Sequence, residues 1–250
     1  MASNGQSYDF VIVGGGSAGC VLANRLSEDP KNSVCLLEAG AKDWTPLIHI
    51  PLGVMFLIDH KKWNWNYKTE GQSNASNRNI NIPRGRALGG SSSINGMVYA
   101  RGNKRDYDDW ANKAGCKGWS YREVLPYFIR SENNETFRDD PLHGTEGPLN
   151  VSRLKKPNKM LDLLFESTDA MQIPRRVDFN DGDQEGFGER QVTIKNGRRW
   201  SAAKAYLDPV RKRPNLTIMT GALADKVVIE SGRATGMEIL QGGQRKTISA

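Results

Sequence analysis

Short apolar runs and polar breaks alternate along the first forty residues. Tyr8-Asp-Phe-Val-Ile-Val13 is apolar, β-branched and closed by glycines, which predicts a buried parallel strand. After Gly14-Gly-Gly-Ser-Ala-Gly19, the stretch Cys20-Val-Leu-Ala-Asn-Arg-Leu26 places its apolar residues at helical spacing. Ser27-Glu-Asp-Pro-Lys-Asn-Ser33 breaks that helix, and Val34-Cys-Leu-Leu-Glu38 reads as a second buried strand. Strand, glycine turn, helix and strand in so short a span make a βαβ unit.

From Ala39 to Arg84 the periodicity lapses. Pro46, Pro51, Trp44, Trp63, Trp65 and Tyr67, then the polar Gly71-Gln-Ser-Asn-Ala-Ser-Asn77, read as an excursion with aromatic anchors that covers a ligand. A second glycine-rich turn and an apolar stretch follow between Arg84 and Trp110. Residues 111–200 mix short helices and loops, with strands expected at Leu149-Asn-Val151 and Glu189-Arg-Gln-Val-Thr-Ile194. Ser201-Ala-Ala-Lys-Ala-Tyr-Leu207 reads as helix and stops at Pro209. Strands follow at Leu216-Thr-Ile-Met219, Lys226-Val-Val-Ile-Glu230 and Ala234-Thr-Gly-Met-Glu-Ile-Leu240, the last two joined at the turn Ser231-Gly232. Gln244-Arg-Lys-Thr-Ile-Ser-Ala250 resembles the start of another strand.

The chain has 250 residues, room for one large domain or two small ones. Apolar residues at 38% and charged residues at 25% exclude disordered and collagenous classes. The longest apolar runs, Phe10-Val-Ile-Val13 and Pro51-Leu-Gly-Val-Met-Phe-Leu-Ile58, fall short of the roughly 20 residues a bilayer span needs. Met1-Ala-Ser-Asn-Gly-Gln-Ser7 lacks the cationic and apolar regions of a signal peptide. Cys20, Cys35 and Cys116 are odd in number and have no metal-type spacing, so free thiols in a reducing compartment are expected. These features predict a cytoplasmic protein, and the Asn-x-Ser/Thr triplets at Asn74, Asn134, Asn150 and Asn215 are then chance. The net charge is +7, from 35 Lys and Arg against 28 Asp and Glu. Its cations are scattered in pairs such as Lys61-Lys62, Lys155-Lys156 and Arg175-Arg176, without a nucleic-acid motif. They read as solvated surface, with a peripheral seat on the anionic inner face of the cytoplasmic membrane as the specific alternative. No nucleic-acid partner is expected.

Gly14-x-Gly16-x-x-Gly19 has the spacing of a dinucleotide fingerprint. Gly14 allows the tight turn, Gly16 lets backbone approach a pyrophosphate, and Gly19 lets the helix pack on the strand. Glu38 closes the second strand, where it can accept hydrogen bonds from both ribose hydroxyls and repel a 2′-phosphate. NADP is thereby disfavoured, while NAD and FAD are not separated. A second loop of small residues, Gly85-Arg-Ala-Leu-Gly-Gly-Ser-Ser-Ser-Ile-Asn-Gly-Met-Val-Tyr-Ala-Arg-Gly102, offers further backbone N–H groups far along the chain. A ligand clamped at two remote loops is expected to be long, which favours FAD.

At this point the sequence resembles the glucose–methanol–choline (GMC) oxidoreductases, which use FAD. Gly85 to Asp108 fits that family's first signature. Tyr8 to Leu26, Leu36-Leu-Glu-Ala-Gly40, His143-Gly-x-x-Gly-Pro148, Arg199-Trp-Ser-Ala-Ala203 and Arg213-Pro-Asn-Leu216 resemble it too. Pro46-Leu-Ile-His-Ile-Pro-Leu-Gly53 and Lys62-Trp-Asn-Trp65 look most like the choline-dehydrogenase-type branch, FAD-dependent dehydrogenases of aliphatic alcohols. The resemblance implies an α/β fold, a Rossmann-like FAD-binding domain interleaved with part of an α+β substrate domain. Residues 1–40, 84–150 and 205–250 would form the FAD-binding domain, and 41–83 and 151–204 lid and substrate-domain elements.

Residue by residue, the resemblance places Gly14, Gly16, Ser17 and Ala18 on the FAD pyrophosphate, with Gly19 behind them, and Glu38 with Ala39 at the adenosine ribose. Leu88, Gly89, Ser91, Asn95, Gly96, Met97 and Val98 would run beside the ribityl chain and isoalloxazine. Ala224 would offer backbone to the adenine, where the family usually has Val, and Trp65 would sit near the flavin or its lid. No His occupies the stretch Asn95 to Val98, so nothing there points to covalent attachment. The implied reaction is oxidation of a primary aliphatic alcohol to an aldehyde by hydride transfer to flavin N5, with electrons passed to a quinone-type acceptor. In the family the base is a late His beside a second His or Asn. This sequence ends before that pair and looks like the family's N-terminal half, with no catalytic residue assigned. Choline dehydrogenase, an oxidase or lyase on the same scaffold, and a non-catalytic FAD-binding module are the other readings.

Other candidate chemistry reads as structural. His49, His60 and His143 are each expected to be structural hydrogen-bonders, although a His is the natural base for such work. Asp106, Asp108 and Asp109 read as a solvated helix face, Cys116 as an inert thiol, and Ser91-Ser-Ser93 lacks the context of a nucleophile elbow.

Overall fold

In the computed structural model, residues 7–154 and 159–250 are described. Residues 1–6, where no signal peptide was expected, and the Lys155-Lys156 pair lie outside them. The fold is α/β, as read from the sequence. Strand β1 (Phe10–Val13), helix α1 (Ser17–Leu26) and strand β2 (Val34–Glu38) form the expected βαβ unit, with Phe10 opposite Val34 in parallel register. Strand β3 (Leu216–Thr220) pairs with the other side of β2, also in parallel. β2 is therefore central and buried along its whole length. β1 departs from the buried strand expected, because it is an edge: Phe10 and Val13 are exposed.

Three antiparallel strands follow: β4 (Ala222–Glu230), β5 (Arg233–Gln241) and β6 (Gln244–Ser249). The turn between β4 and β5 is Ser231-Gly232, both at positive φ, the geometry that matches the twist of a hairpin. Tyr8, Cys35, Leu37, Met237, Ile239 and Ile248 make one core where the two sheets meet. Ile48, Leu57, Trp63, Ala87 and Ile94 make a second under the excursion. The helix expected at 201–207 is a π-helical turn, Ala203–Leu207, because the Asp208 N–H reaches back five residues to the Ala203 carbonyl (2.9 Å). It packs on α1, where Asn24 Nδ2 donates to the Tyr206 carbonyl (2.7 Å).

The chain divides into two compact units, residues 1–96 with 197–250, and residues 97–196. The expected segments 1–40, 41–83 and 205–250 fall in the first unit, whereas 84–150 and 151–204 are each divided, with 97–150 and 151–196 in the second unit and the rest in the first. The second unit holds helices α2 (Lys104–Asn112), α3 (Tyr121–Ser131) and α4 (Met160–Ala170). Asn103 caps α2 by accepting the Arg105 N–H (3.0 Å), and Ser120 with Glu123 forms a capping box on α3. The strand expected at 189–194 is two short pieces, Gln191–Val192 and Ile194–Lys195, each pairing elsewhere. Of the helix aspartates, Asp109 pairs with Lys113 (2.8 Å) and Asp108 accepts the Tyr121 N–H (3.0 Å).

Among the described residues no helix is long and apolar enough to cross a membrane, and no cluster of His, Cys, Asp and Glu could hold a metal ion. All three cysteines are free thiols, two of them in the core of the first unit. Burial pushes the Cys20 thiol up to about 12 and Cys35 up to about 11, whereas Cys116 is exposed. Since only the thiolate alkylates, iodoacetamide at pH 8 should label Cys116 alone in the native protein and all three after unfolding. Peptide mass mapping checks this, and native labelling of Cys20 would contradict the packing described.

Candidate functional site

The first glycine loop is built by the end of β1. Gly14 sits at φ +92°, a conformation that other residues rarely adopt, and its N–H donates to the Leu37 carbonyl (2.8 Å). Gly16 is the N-cap of α1 and carries no side-chain cap, so the N–H groups of the first helical turn are left for another acceptor. With the positive end of the helix dipole they favour an anion. A Cβ added at Gly19 would stand 1.9 Å from the Gly14 carbonyl oxygen, while one added at Gly16 would meet nothing within 4 Å. Gly19 therefore serves the packing of helix on strand, and Gly16 faces open space.

Glu38 ends β2 and lies buried beneath this loop. Its two carboxylate oxygens accept from the Gly15 N–H (2.8 Å) and the Gly40 N–H (2.7 Å). Burial raises the carboxyl pKa, opposed by these two N–H groups and by Arg86. Each oxygen keeps a second acceptor site, so hydroxyl groups of a ligand can still bind there.

The two loops turn out to be neighbours. The Gly89 N–H donates to the Gly15 carbonyl (2.7 Å), and a Cβ at Gly90 (φ +53°) would stand 2.7 Å from the Gly16 Cα. The excursion brings them together: Ala41 bridges to Ala87, and the Trp65 N–H donates to the Arg84 carbonyl (2.9 Å). The picture of two remote clamps is therefore corrected, and the length of the ligand does not follow from their separation. The serines divide their work. Ser93 Oγ donates to the Leu88 carbonyl (2.7 Å), and Ser92 Oγ donates to the Gly89 carbonyl (2.5 Å) while accepting the Ala202 N–H (2.9 Å). Ser91 is exposed.

A cavity of about 440 Å³ opens between the loops and the carboxyl ends of the strands, where α/β sheets place their ligands. Of the residues expected at a cofactor, Gly14, Gly16, Ser17, Glu38, Ala39, Trp65, Ser91 and Ala224 line it. Ala18 is exposed on the first turn of α1, and Gly19 and Gly89 are buried behind the walls. Leu88 is fully buried beneath Gly15, with its N–H bound to the Ala41 carbonyl (3.1 Å), and so forms part of the floor. Asn95 and Gly96 end the second loop with exposed faces outside the cavity lining. Met97 and Val98 begin the second unit, where the Met97 carbonyl accepts the Thr193 N–H (2.8 Å).

Sequence reasoning did not single out Arg84, Gly90 and Leu223 in the wall, and Tyr67, read only as one of the excursion's aromatic anchors, joins them there. Trp65 and Tyr67 stack with ring centroids 5.8 Å apart and planes 5° from parallel, and the Arg86 guanidinium lies 4.7 Å over the Trp65 ring. The alternation Trp65-Asn-Tyr67 beside the proline-bounded loop was the available signal.

None of the three histidines lines the cavity. Burial and the neighbouring Lys204 charge lower the pKa of His49. His60 Nδ1 accepts the Lys62 N–H (3.1 Å). His143, in the second unit, lies between Glu132 (Nδ1 to Oε1, 3.0 Å) and Asp178 (Nε2 to Oδ2, 2.7 Å). Burial alone would lower its pKa, but the hydrogen bonds to Asp178 and Glu132 outweigh it and push it up to about 9. It is a cation held between two carboxylates.

The arrangement suits a nucleotide diphosphate: a helix N-terminus for the phosphates, a carboxylate for ribose hydroxyls, and an apolar wall at Ala222, Leu223 and Ala224. A family model described as GMC oxidoreductase matches residues 8–250. An oxygen-dependent choline dehydrogenase of Rhizobium etli is 47% identical over 242 residues, covering 97% of this chain and 44% of that protein. An alcohol dehydrogenase [acceptor] of Pseudomonas putida is 46% identical over 241 residues, covering 96% and 44%. Among solved structures, pyridoxine 4-oxidase from Mesorbium loti superposes with a TM-score of 0.92 at 34% identity, covering 98% of this chain and 48% of that one. Formate oxidase from Aspergillus oryzae, in a study of its FAD modification, gives 0.87 at 29%, covering 100% and 45%. The chain spans somewhat under half the length of the curated relatives it matches.

Proposed function

Because the chain belongs to the GMC oxidoreductase family, we propose that its cavity holds the nucleotide end of FAD and that the intact protein oxidises a primary aliphatic alcohol to an aldehyde, passing the electrons to a quinone-type acceptor. The observation that carries this reading is the cradle itself. Gly16, whose Cβ position opens onto free space, the uncapped first turn of α1 and the buried Glu38 converge on one cavity.

FAD, when bound, supplies the hydride acceptor. The chain's own residues do the holding. The N–H groups at Gly16 and Ser17 would face the diphosphate, and Glu38 would take the ribose hydroxyls on the acceptor sites that Gly15 and Gly40 leave free. Ala222 to Ala224 and Val13 would shield the base from water, and Trp65 with Tyr67 adds an aromatic part of the wall. None of the three histidines lines the cavity, and none is assigned a part in proton removal. The alcohol is supported by the name of the Pseudomonas putida relative, and choline, from the name of the Rhizobium etli relative, is the competing substrate.

The intact purified protein should be yellow and release FAD on denaturation. Short primary alcohols should bleach it without oxygen, and a quinone analogue should restore the colour with one aldehyde formed per cycle. Faster bleaching by choline would transfer the reading to the other substrate. Peroxide formed at the rate of turnover in air would make it an oxidase. A colourless protein that takes up NAD instead would refute the proposal.

A further inference from the structure

Arg199 lies in the first unit and is 1% exposed, yet it faces no carboxylate among the described residues. Its Nε donates to the Ile48 carbonyl (2.8 Å). Its Nη1 is shared by the Asn95 carbonyl (2.7 Å), Asn95 Oδ1 (2.9 Å) and the Ser92 carbonyl (3.2 Å). Its Nη2 is buried with no partner. Burial pulls the guanidinium down to about 10, which leaves it protonated at neutral pH.

Such a group is costly to keep. A buried ion is penalised by several kcal/mol unless a counter-charge and a full set of hydrogen bonds balance it. Other shielded arginines have the counter-charge that Arg199 lacks: Arg101 pairs with Glu132 (2.7 Å), and Arg211 with Asp43 (2.9 Å) and Asp208 (2.7 Å). Arg199 has four neutral oxygens and an unused N–H group. A neutral side chain could pin the Ser92 and Asn95 carbonyls without the charge, so the charge itself needs a reason. The guanidinium holds the last residues of the second glycine loop, whose Gly90 and Ser91 line the cavity.

We propose that Arg199 is a positioning residue for the flavin. It clamps the Ser92 to Asn95 turn in the shape that receives the ring system, and it sets one uncompensated positive charge behind that turn. The inference rests on the FAD reading above. Taking up a hydride adds one negative charge to a flavin, and a fixed cation nearby favours the reduced form. The fork of Arg199 spans Ile48, Ser92 and Asn95 at once, which a lysine ammonium cannot do.

The test uses the intact FAD-loaded protein and two variants. In Arg199→Gln the equilibrium constant for two-electron reduction of the bound flavin should fall about tenfold, a drop of about 30 mV in midpoint potential. In Arg199→Lys, which keeps the charge and loses the fork, that constant should stay within about twofold of the parent. Its dissociation constant for FAD should rise about tenfold, with a changed visible circular dichroism spectrum of the bound flavin. An unchanged potential in a folded, loaded Arg199→Gln protein would overturn the proposal. Should that variant not fold, Arg199→Lys decides alone, and a parent-like FAD affinity and spectrum, or a tenfold loss in reduction constant despite the retained charge, would overturn it. A parent protein that binds no flavin would refute the FAD reading rather than the role of Arg199.

Discussion

Replacing Gly16 by valine should lower the affinity for FAD at least a hundredfold, about 2.7 kcal/mol, while leaving the fold standing. The backbone there (φ −77°, ψ −163°) is open to any residue, and an added Cβ meets nothing within 4 Å. The added Cβ would therefore clash with nothing in the protein, and the branched side chain would carry its bulk into the space in front of the α1 N-terminus. The less favourable N-cap residue costs about 1 kcal/mol, a fall of about 2–4 °C in unfolding temperature. Gly19→Ala should behave in the opposite way. Its Cβ would stand 1.9 Å from the Gly14 carbonyl oxygen, so α1 must lift from β1, at about 1–3 kcal/mol of stability. Flavin titration beside thermal unfolding of the cofactor-free protein separates the two. A Gly16→Val protein that binds FAD as tightly as the parent would remove the loop from the site.

The second large effect belongs to residues 97–196. Glu132, buried completely, accepts from Arg101 Nη2 (2.7 Å), His143 Nδ1 (3.0 Å) and Asn134 Nδ2 (2.8 Å), while Asp178 takes His143 Nε2 (2.7 Å) and Gln191 Nε2 (2.7 Å). Two cations and two carboxylates thus balance inside one unit. Glu132→Gln leaves two cations against one anion, and loss of a partner from a buried ion cluster destabilises by about 3–5 kcal/mol. The pH dependence has a definite sign. His143 has a folded pKa of about 9 against an ordinary value of 6.5, so its contribution is complete below about pH 6.5 and is lost as the pH rises through 9. That loss is worth up to roughly 3 kcal/mol. Burial alone would raise the pKa of Glu132 and Asp178. The hydrogen bonds and cations around them outweigh it and hold both below their ordinary values. Their contribution is present above those ordinary values and is lost as the pH falls through the depressed ones. Stability of this unit should be greatest between about pH 5 and 6.5. Urea unfolding read from Trp110 and Trp119, which pack edge to face, should fall between pH 6.5 and 9 in the parent and much less in the Glu132→Gln protein. A parent curve flat across that range would contradict the cation assigned to His143.

The βαβ unit was legible because each part declares itself locally. β-branched runs, a glycine turn and helical spacing do not depend on the rest of the chain, and the same holds for the Ser231-Gly232 hairpin. What the sequence did not reveal depends on distant partners. β1 reads like β2, but only pairing decides which of them is the edge strand. Arg84 belongs to an irregular segment without period, so nothing marked it as cavity wall. The ion cluster draws Arg101, Glu132, His143 and Asp178 from four separate segments, and each alone looks like an ordinary charged residue. The π-helical turn at Ala203–Leu207 has good helix formers throughout, and only the reach of Asp208 shows its wider winding.

The contact between Gly89 and Gly15 joins main chain to main chain, and Gly90 leaves no room for a side chain against Gly16. The meeting of the two loops is thus written in peptide groups, provided that glycine is kept at position 90. Amino-acid changes can accumulate across the outward faces of both segments while that meeting keeps its dimensions. Descendants of one ancestral chain could in this way exchange one substrate for another and still inherit the same seat for the group that does the oxidising.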